Sequence, residues 1–237
     1  MAVYHIRCEK GDVAERVIVC GDPGRTRRVS TFLREPRLVN EHRGLLTFTG
    51  IYKEVEVTVS TTGMGTPSAA IVMEELAALG AKYVIRVGTT GGIGRDVELG
   101  DIIVPTMAVP LDGASKAYIR RGGRTVADEE MVKMLVKNLE GTRHHVGPIC
   151  TSDTFYLEEE EDAEYWASRG VLSFEMECSV IFAIGSLRGY RAAAVLTVTG
   201  KIFGRGDRVL DTDKTTMSVE RTIRAALETL NFLNDSP

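Results

Sequence analysis

Gly21-Asp22-Pro23-Gly24-Arg25 is the stretch of this chain best suited to handling a small oxyanion. It follows the apolar run Val17-Ile18-Val19-Cys20, which reads as a buried strand, and it opens a helix-like segment. A glycine-flanked turn of this kind points several backbone N–H groups one way. With the Arg25 guanidinium and a helix N-terminus it would form a cradle for phosphate. Gly-Asp-Pro-Gly is equally ordinary turn chemistry. A second arginine strengthens the anion reading. Arg86 lies in Ile85-Arg86-Val87-Gly88-Thr89-Thr90-Gly91, near the end of an apolar run. An arginine there is costly to bury without an anionic partner, which is either a protein carboxylate or a bound anion. Its glycine neighbours permit close backbone approach, and Thr89 offers a hydroxyl and an N–H.

Glu175-Met176-Glu177 follows the short β-type run Val171-Leu172-Ser173-Phe174. Carboxylates placed there can accept hydrogen bonds from a ribose diol, or simply favour the N-terminus of the next helix. Phe155 and Tyr156, in Thr151-Ser152-Asp153-Thr154-Phe155-Tyr156, are able to stack on a flat ring or to fill the core. Arg43, in Asn40-Glu41-His42-Arg43-Gly44, reads from the sequence alone as surface charge.

The elements that must position these residues alternate between strand-like and helix-like. Leu45–Gly50 and Val55–Ser60 suggest a hairpin. Gly63-Met64-Gly65-Thr66-Pro67-Ser68 leads into a helical run, Ala69 to Leu79, with a proline in the first turn and Gly80 as a stop. Lys82–Val87 reads as a strand ending in Gly88-Thr89-Thr90-Gly91-Gly92, and Asp101–Val104 as a strand closed by Pro105. Beyond these, helices are expected at Met131–Leu139, Glu158–Arg169, Glu177–Leu187 and Thr216–Phe232. Strands are expected at Val146–Cys150 and Ala192–Val198. The pattern predicts one α/β domain over residues 1–237, a mixed central sheet with helices on both faces. Ligand loops of such sheets gather at the carboxyl ends of strands, where each glycine motif falls.

Bulk properties narrow the partners. The 237 residues carry a net charge of −4, which argues against a general nucleic-acid or membrane-surface binder. Cys8, Cys20, Cys150 and Cys178 show no metal or CxxC spacing and read as reduced, buried thiols of an intracellular protein. No apolar run approaches the ~20 residues of a membrane span, and no signal-like apolar core follows Met1. A cytoplasmic location is expected.

GDPGR, NEHRG, TTGMG, RVGTTGG, TSDTFY and FEMEC, in this order and spacing, resemble the nucleoside phosphorylase family of hexameric purine nucleoside, methylthioadenosine and uridine phosphorylases. The resemblance runs from His5 to the terminal helix. It implies that Gly21, Arg25, Arg86 and Thr89 bind phosphate, joined by an Arg43 lent by the neighbouring subunit. It further implies that Met64, Met176 and Glu177 contact ribose, with His5 lent to the neighbour's ribose, and that Phe155 lines the base pocket. The implied reaction is phosphate-dependent cleavage of the N-glycosidic bond, without cofactor or metal. The implied partners are nucleoside and phosphate, within a homo-oligomer that shares its sites, expected to be a hexamer.

The base is where the motifs divide. Purine enzymes carry an aspartate that protonates N7, and Gly200 stands in its place here, with Asp207 near but not at the matching position. Uridine enzymes also have glycine there, followed five residues later by an arginine that bonds a pyrimidine carbonyl. Gly200 and Arg205 reproduce that spacing, which adds Arg205 to Arg86 as a catalytic candidate. Uridine enzymes then place a glutamine and an arginine after the Phe-Tyr pair, where this chain has Glu159 and Glu161. The uridine type is favoured narrowly over the purine and methylthioadenosine types. A nucleoside hydrolase should not need three arginines around one anion. A binding protein without catalysis is the reading that Gly200 keeps open. A Rossmann dehydrogenase is excluded, because GDPGR lacks the GxGxxG spacing.

Overall fold

Runs of apolar β-branched residues become the central strands, and the polar or glycine-rich ends of those strands become the site. A computed structural model describes residues 3–157, 159–202 and 213–233. The first half contains β1 (Arg16–Cys20), α1 (Pro23–Ser30), β2 (Arg34–Asn40), β3 (Thr47–Tyr52), β4 (Val55–Thr61), α2 (Thr66–Leu79), β5 (Tyr83–Gly92) and β6 (Ile102–Pro110). The second half contains α3 (Gly113–Ile119), α4 (Glu129–Asn138), β7 (His144–Thr151), α5 (Glu160–Ala167), β8 (Ser173–Glu175), α6 (Cys178–Arg188), β9 (Arg191–Lys201) and α7 (Asp213–Phe232).

Among the described residues, nine strands form one mixed sheet in the order β2-β3-β4-β1-β5-β8-β7-β6-β9. The sheet also closes on itself, because β9 pairs antiparallel with β6 and parallel with β5. Closure requires long strands that bend. β5 and β9 run 10 and 11 residues, and their register shifts between Thr90 and Gly91, where the absence of side chains lets the strand turn. The sequence GTTGG, read as a loop after a short strand, is therefore the outer half of β5.

Among the described residues, five of the helices form two groups. α2, α3 and α6 pack on one another, while α4 packs on α7. Both groups rest on β9, whose residues 192–198 are buried without alternation, as in a strand covered on both faces. Arg28 of α1 reaches Glu220 of α7 at 2.7 Å and ties the front of the sheet to the terminal helix.

One expectation is corrected here, and two elements had no counterpart in the sequence reading. β6 does not stop at Pro105 but runs on to Pro110, with a register shift between Pro105 and Met107 that absorbs the missing N–H. β2 was not foreseen, since Arg34-Glu35-Pro36-Arg37 is an exposed edge strand without alternation. The short helix α3 also escaped notice, although Asp112 caps it by accepting from the Ser115 N–H at 2.6 Å.

Candidate active site

The Gly21–Arg25 turn forms as a capped helix start. The Asp22 carboxylate accepts from the Gly24 and Arg25 N–H groups at 3.0 and 2.8 Å, and Pro23 occupies the first turn of α1. Asp22 thus consumes two of the N–H groups the sequence offers to an anion. Gly21 lies where β1 ends, against the Gly63–Gly65 turn. A side-chain carbon at Gly21 would lie 3.3 Å from the Gly63 carbonyl oxygen, 3.7 Å from Glu177 Oε1 and 3.8 Å from Arg86 Nη1. Glycine is needed for that approach, which puts the first motif directly over the third and the last.

Arg86 is the hub. It lies in β5 opposite Val19 of β1 and Ala194 of β9, and only 4% of its surface is exposed. Its Nε donates to Glu175 Oε2 at 3.1 Å, and its Nη2 pairs with Glu177 Oε2. Gly88 makes room for this arrangement, since a side-chain carbon there would fall 2.9 Å from Arg86 Cζ and 2.8 Å from Leu196 Cδ2. Burial works against the charge on Arg86, but the flanking Glu177 and Glu175 outweigh it and hold the guanidinium above its ordinary value.

The two carboxylates have different surroundings. Glu175 is fully engaged: Thr151 Oγ1 donates at 2.5 Å, and the N–H groups of Glu177 and Cys178 donate at 2.8 and 3.0 Å. Among the described residues, Glu177 receives, besides Arg86, the Gly65 N–H at 2.7 Å. Burial pushes its carboxyl above the usual carboxylate range, opposed by Arg86 and more weakly by Arg25, with Glu175 adding to the rise. Burial also pushes the nearby Cys20 thiol up to about 11, against the pull of Arg25 and Arg86. Gly21, Arg25, Arg86 and Glu177 are therefore one electrostatic neighbourhood. Met176 is half-buried between the two glutamates, Thr89 is half-buried beside Thr197 in β9, and Met64 is exposed on the Gly63–Gly65 turn.

Phe155 and Tyr156 are not core. They are exposed on a short 3-10 turn, Phe155–Leu157, and meet edge to face with ring centroids 5.2 Å apart. Asp153 fastens this loop to the rest of the site. Its carboxylate accepts from Thr66 Oγ1 at 3.1 Å and from the Gly113 N–H at 2.9 Å, joining α2, α3 and the loop. Neither Asp153 nor Thr151 stood out from the sequence as functional, although both lie inside TSDTFY. Glu159 is exposed at the start of α5 and makes no capping bond there, whereas Glu161 lines an outer groove with Arg95 and Arg169. Gly200 pairs with Gly91, and among the described residues beyond its chain neighbours no atom lies within 4 Å of where a side chain would begin. Arg205 and Asp207 lie outside the described residues.

His5 and Arg43 sit in a separate cluster. Glu75 of α2 holds His5, and His42 Nδ1 lies 3.1 Å from the His5 carbonyl oxygen. Arg43 is exposed with φ of 60°, in a turn braced by Asn40, whose amide donates to the Leu45 carbonyl at 2.6 Å.

Residues 15–232 match the family model of the phosphorylase superfamily. Similar proteins carry more specific names. The guanosine phosphorylase of Halorubrum lacusprofundi is 36% identical over 236 residues, spanning 97% of this chain and 98% of that protein. The uridine phosphorylase of Thermococcus kodakarensis is 40% identical over 210 residues, spanning 82% of this chain and 76% of that protein. The crystal structure of uridine phosphorylase from Vibrio fischeri ES114 matches with a TM-score of 0.89 at 34% identity, covering 98% of both chains. The chain belongs to the nucleoside phosphorylase family, whose members are pentosyltransferases that use phosphate as co-substrate. The named activities divide between a purine and a pyrimidine nucleoside. Among the described residues, no helix is long and apolar enough to cross a membrane.

Proposed function

We propose that this enzyme cleaves a uridine-type nucleoside with phosphate, giving the free base and ribose 1-phosphate. The observation that carries the base assignment is Gly200, a glycine where purine enzymes carry their acid, with no atom of the described residues crowding its side-chain position. Phosphate takes the Gly21 N–H, Arg25, Arg86, Thr89 and a neighbour's Arg43, and it needs no metal or further cofactor. Ribose rests between Met64, Met176 and Glu177, with its diol on the Glu177 carboxylate and a neighbour's His5 at its other end. A phosphate oxygen approaches C1′ as the C1′–N bond lengthens, and the dianion offsets the positive charge that develops on the sugar. Orientation supplies much of the remainder. The base departs with the bonding electron pair, and Arg205 steadies the charge on its carbonyl oxygen. Two borrowed residues make the working unit at least a dimer, and the family pattern points to a hexamer in the cytoplasm.

Glu159 favours a second reading. An exposed carboxylate with no capping bond can accept two parallel N–H groups. Guanine offers such a pair, its N1–H beside its amino group, whereas uracil flanks its N3–H with two carbonyl oxygens. The test is a panel of uridine, thymidine, inosine, guanosine, adenosine and methylthioadenosine, each with and without phosphate. Phosphate-dependent ribose 1-phosphate release with uridine preferred is expected, and preference for guanosine overturns the uridine assignment. Release of free ribose without phosphate would mark a hydrolase, and binding without turnover would mark a protein that has lost catalysis.

A further inference from the structure

The N-terminal strap is held by a single buried carboxylate. Glu75, in the penultimate turn of α2, accepts from the backbone N–H of Tyr4 at 3.0 Å, of His5 at 3.1 Å and of Ile6 at 2.8 Å. The same carboxylate lies 2.7 Å from His5 Nδ1. Burial alone would raise the Glu75 carboxyl, but the N–H groups of the strap and the His5 ring hold it below the usual carboxylate range. An ionised carboxylate only accepts hydrogen bonds, so Nδ1 must carry the proton. Nε2 is then the remaining ring nitrogen, on a side chain that is 32% exposed. The rest of the strap is coupled to the Arg43 turn, because His42, next to Arg43, places its Nδ1 3.1 Å from the His5 carbonyl.

We propose that Glu75 is a positioning residue for the shared active site: by fixing the strap and the orientation of the His5 ring, it aims Nε2 at the 5′-hydroxyl of a ribose bound in the neighbouring subunit. The inference rests on the reading of His5 as a residue lent to a neighbour's ribose. Glu75 touches neither sugar nor phosphate and acts only through His5. Its removal therefore weakens recognition of one hydroxyl and leaves the reacting bond to other groups.

The experiment compares kcat/KM for a nucleoside and its 5′-deoxy analogue, using whichever base the panel selects. In the wild-type enzyme the 5′-hydroxyl is expected to raise kcat/KM roughly tenfold, as one hydrogen bond between polar groups would. His5→Ala should abolish that preference, and Glu75→Gln should cut it to within about threefold of the deoxy analogue, mainly through KM. The double variant should lose nothing beyond the larger single effect, as expected of residues acting in series. Glu75→Asp, which withdraws the carboxylate by one methylene, is read by the same ratio if Glu75→Gln does not assemble. Equal loss on both substrates, or effects of the two variants that multiply, would make Glu75 a structural anchor only and overturn the proposal. A wild-type enzyme that phosphorolyses both substrates equally refutes the role of His5. One that shows no phosphate-dependent turnover across the panel refutes the underlying reading of the site.

Discussion

Arg86→Ala tests the electrostatic hub on two axes at once. The substitution removes the one positive charge set directly between Glu175 and Glu177, all three being buried. At a separation of 3.1 Å, one such pair has a gross attraction of about 5 kcal/mol at an effective dielectric near 20. Desolvation offsets much of that, and breaking a buried pair typically costs about 3–5 kcal/mol net. For a chain of this size each kcal/mol shifts Tm by about 2–4 °C, so a fall of roughly 6–20 °C is expected by calorimetry. Glu177 then responds to pH. Without Arg86 its carboxyl rises further above its ordinary value of 4.5, so the folded state holds a proton that the unfolded chain has released. Stability contributed by that proton is present at low pH and lost as pH rises through the folded value, so the deficit should be larger at pH 8 than at pH 5. Adding Glu175→Gln and Glu177→Gln removes the orphaned charges and should restore much of the Tm. Phosphorolysis should stay depressed by orders of magnitude in both proteins, because the phosphate has lost its deepest cation. A Tm within about 2 °C of wild type would refute the buried-charge account, and near-normal turnover would refute the phosphate assignment.

Gly88→Ala puts a methyl 2.9 Å from Arg86 Cζ and should displace the guanidinium by several tenths of an ångström. An overpacking loss of about 1–3 kcal/mol is expected, with a rise in phosphate KM of tenfold or more; unchanged phosphate kinetics would refute the role of Gly88. Gly200→Asp meets no atom of the described residues within 4 Å of its first side-chain carbon, so it should fold with a Tm within a few degrees of wild type and shift the panel toward purine nucleosides. An unshifted substrate ratio would show that the missing acid does not set base choice. Asp153→Ala frees Thr66 and the Gly113 N–H and loosens the Phe155 loop. Nucleoside KM should rise about three- to tenfold with phosphate KM unchanged, and equal rises in both would argue against a role confined to the base side.

The central strands were legible because burial writes itself as apolar runs: Val17–Cys20, Ala192–Val198 and the start of β5 all stand in the sheet. The closure of the sheet was not legible, since it depends on register between β9 and two partners far apart in sequence. Arg86 shows the same division. The sequence offered an anion or a protein carboxylate as its partner, and the structure supplies two carboxylates. Glu175 and Glu177 looked alike as residues, yet one is saturated by Thr151 and the α6 N-terminus while the other keeps fewer donors. Side chains that serve at a distance, Glu75 and Asp153, left no local signal because their partners lie 40 to 87 positions away.

Charge around the hub would give the proposed sharing between subunits a physical purpose. Within one chain, Arg86 lies between Glu175 and Glu177, and Arg25 acts on Glu177 from a turn that also carries the Asp22 carboxylate, so positive charge does not exceed negative. A half-buried pocket without net positive charge is a poor host for a phosphate dianion, whose desolvation must be offset by fixed positive charge. In the proposed assembly a neighbour's Arg43, carried on a turn that is exposed and braced by Asn40, would tip the balance toward positive charge. Protonation of Glu177, whose carboxyl already lies high, would tip it the same way, but only by disabling the acceptor proposed for the ribose diol. A subunit lending Arg43, as proposed, would therefore let phosphate bind while Glu177 stays ionised for the sugar. On this account an isolated subunit would have to choose between its two substrates, and the assembled enzyme would not.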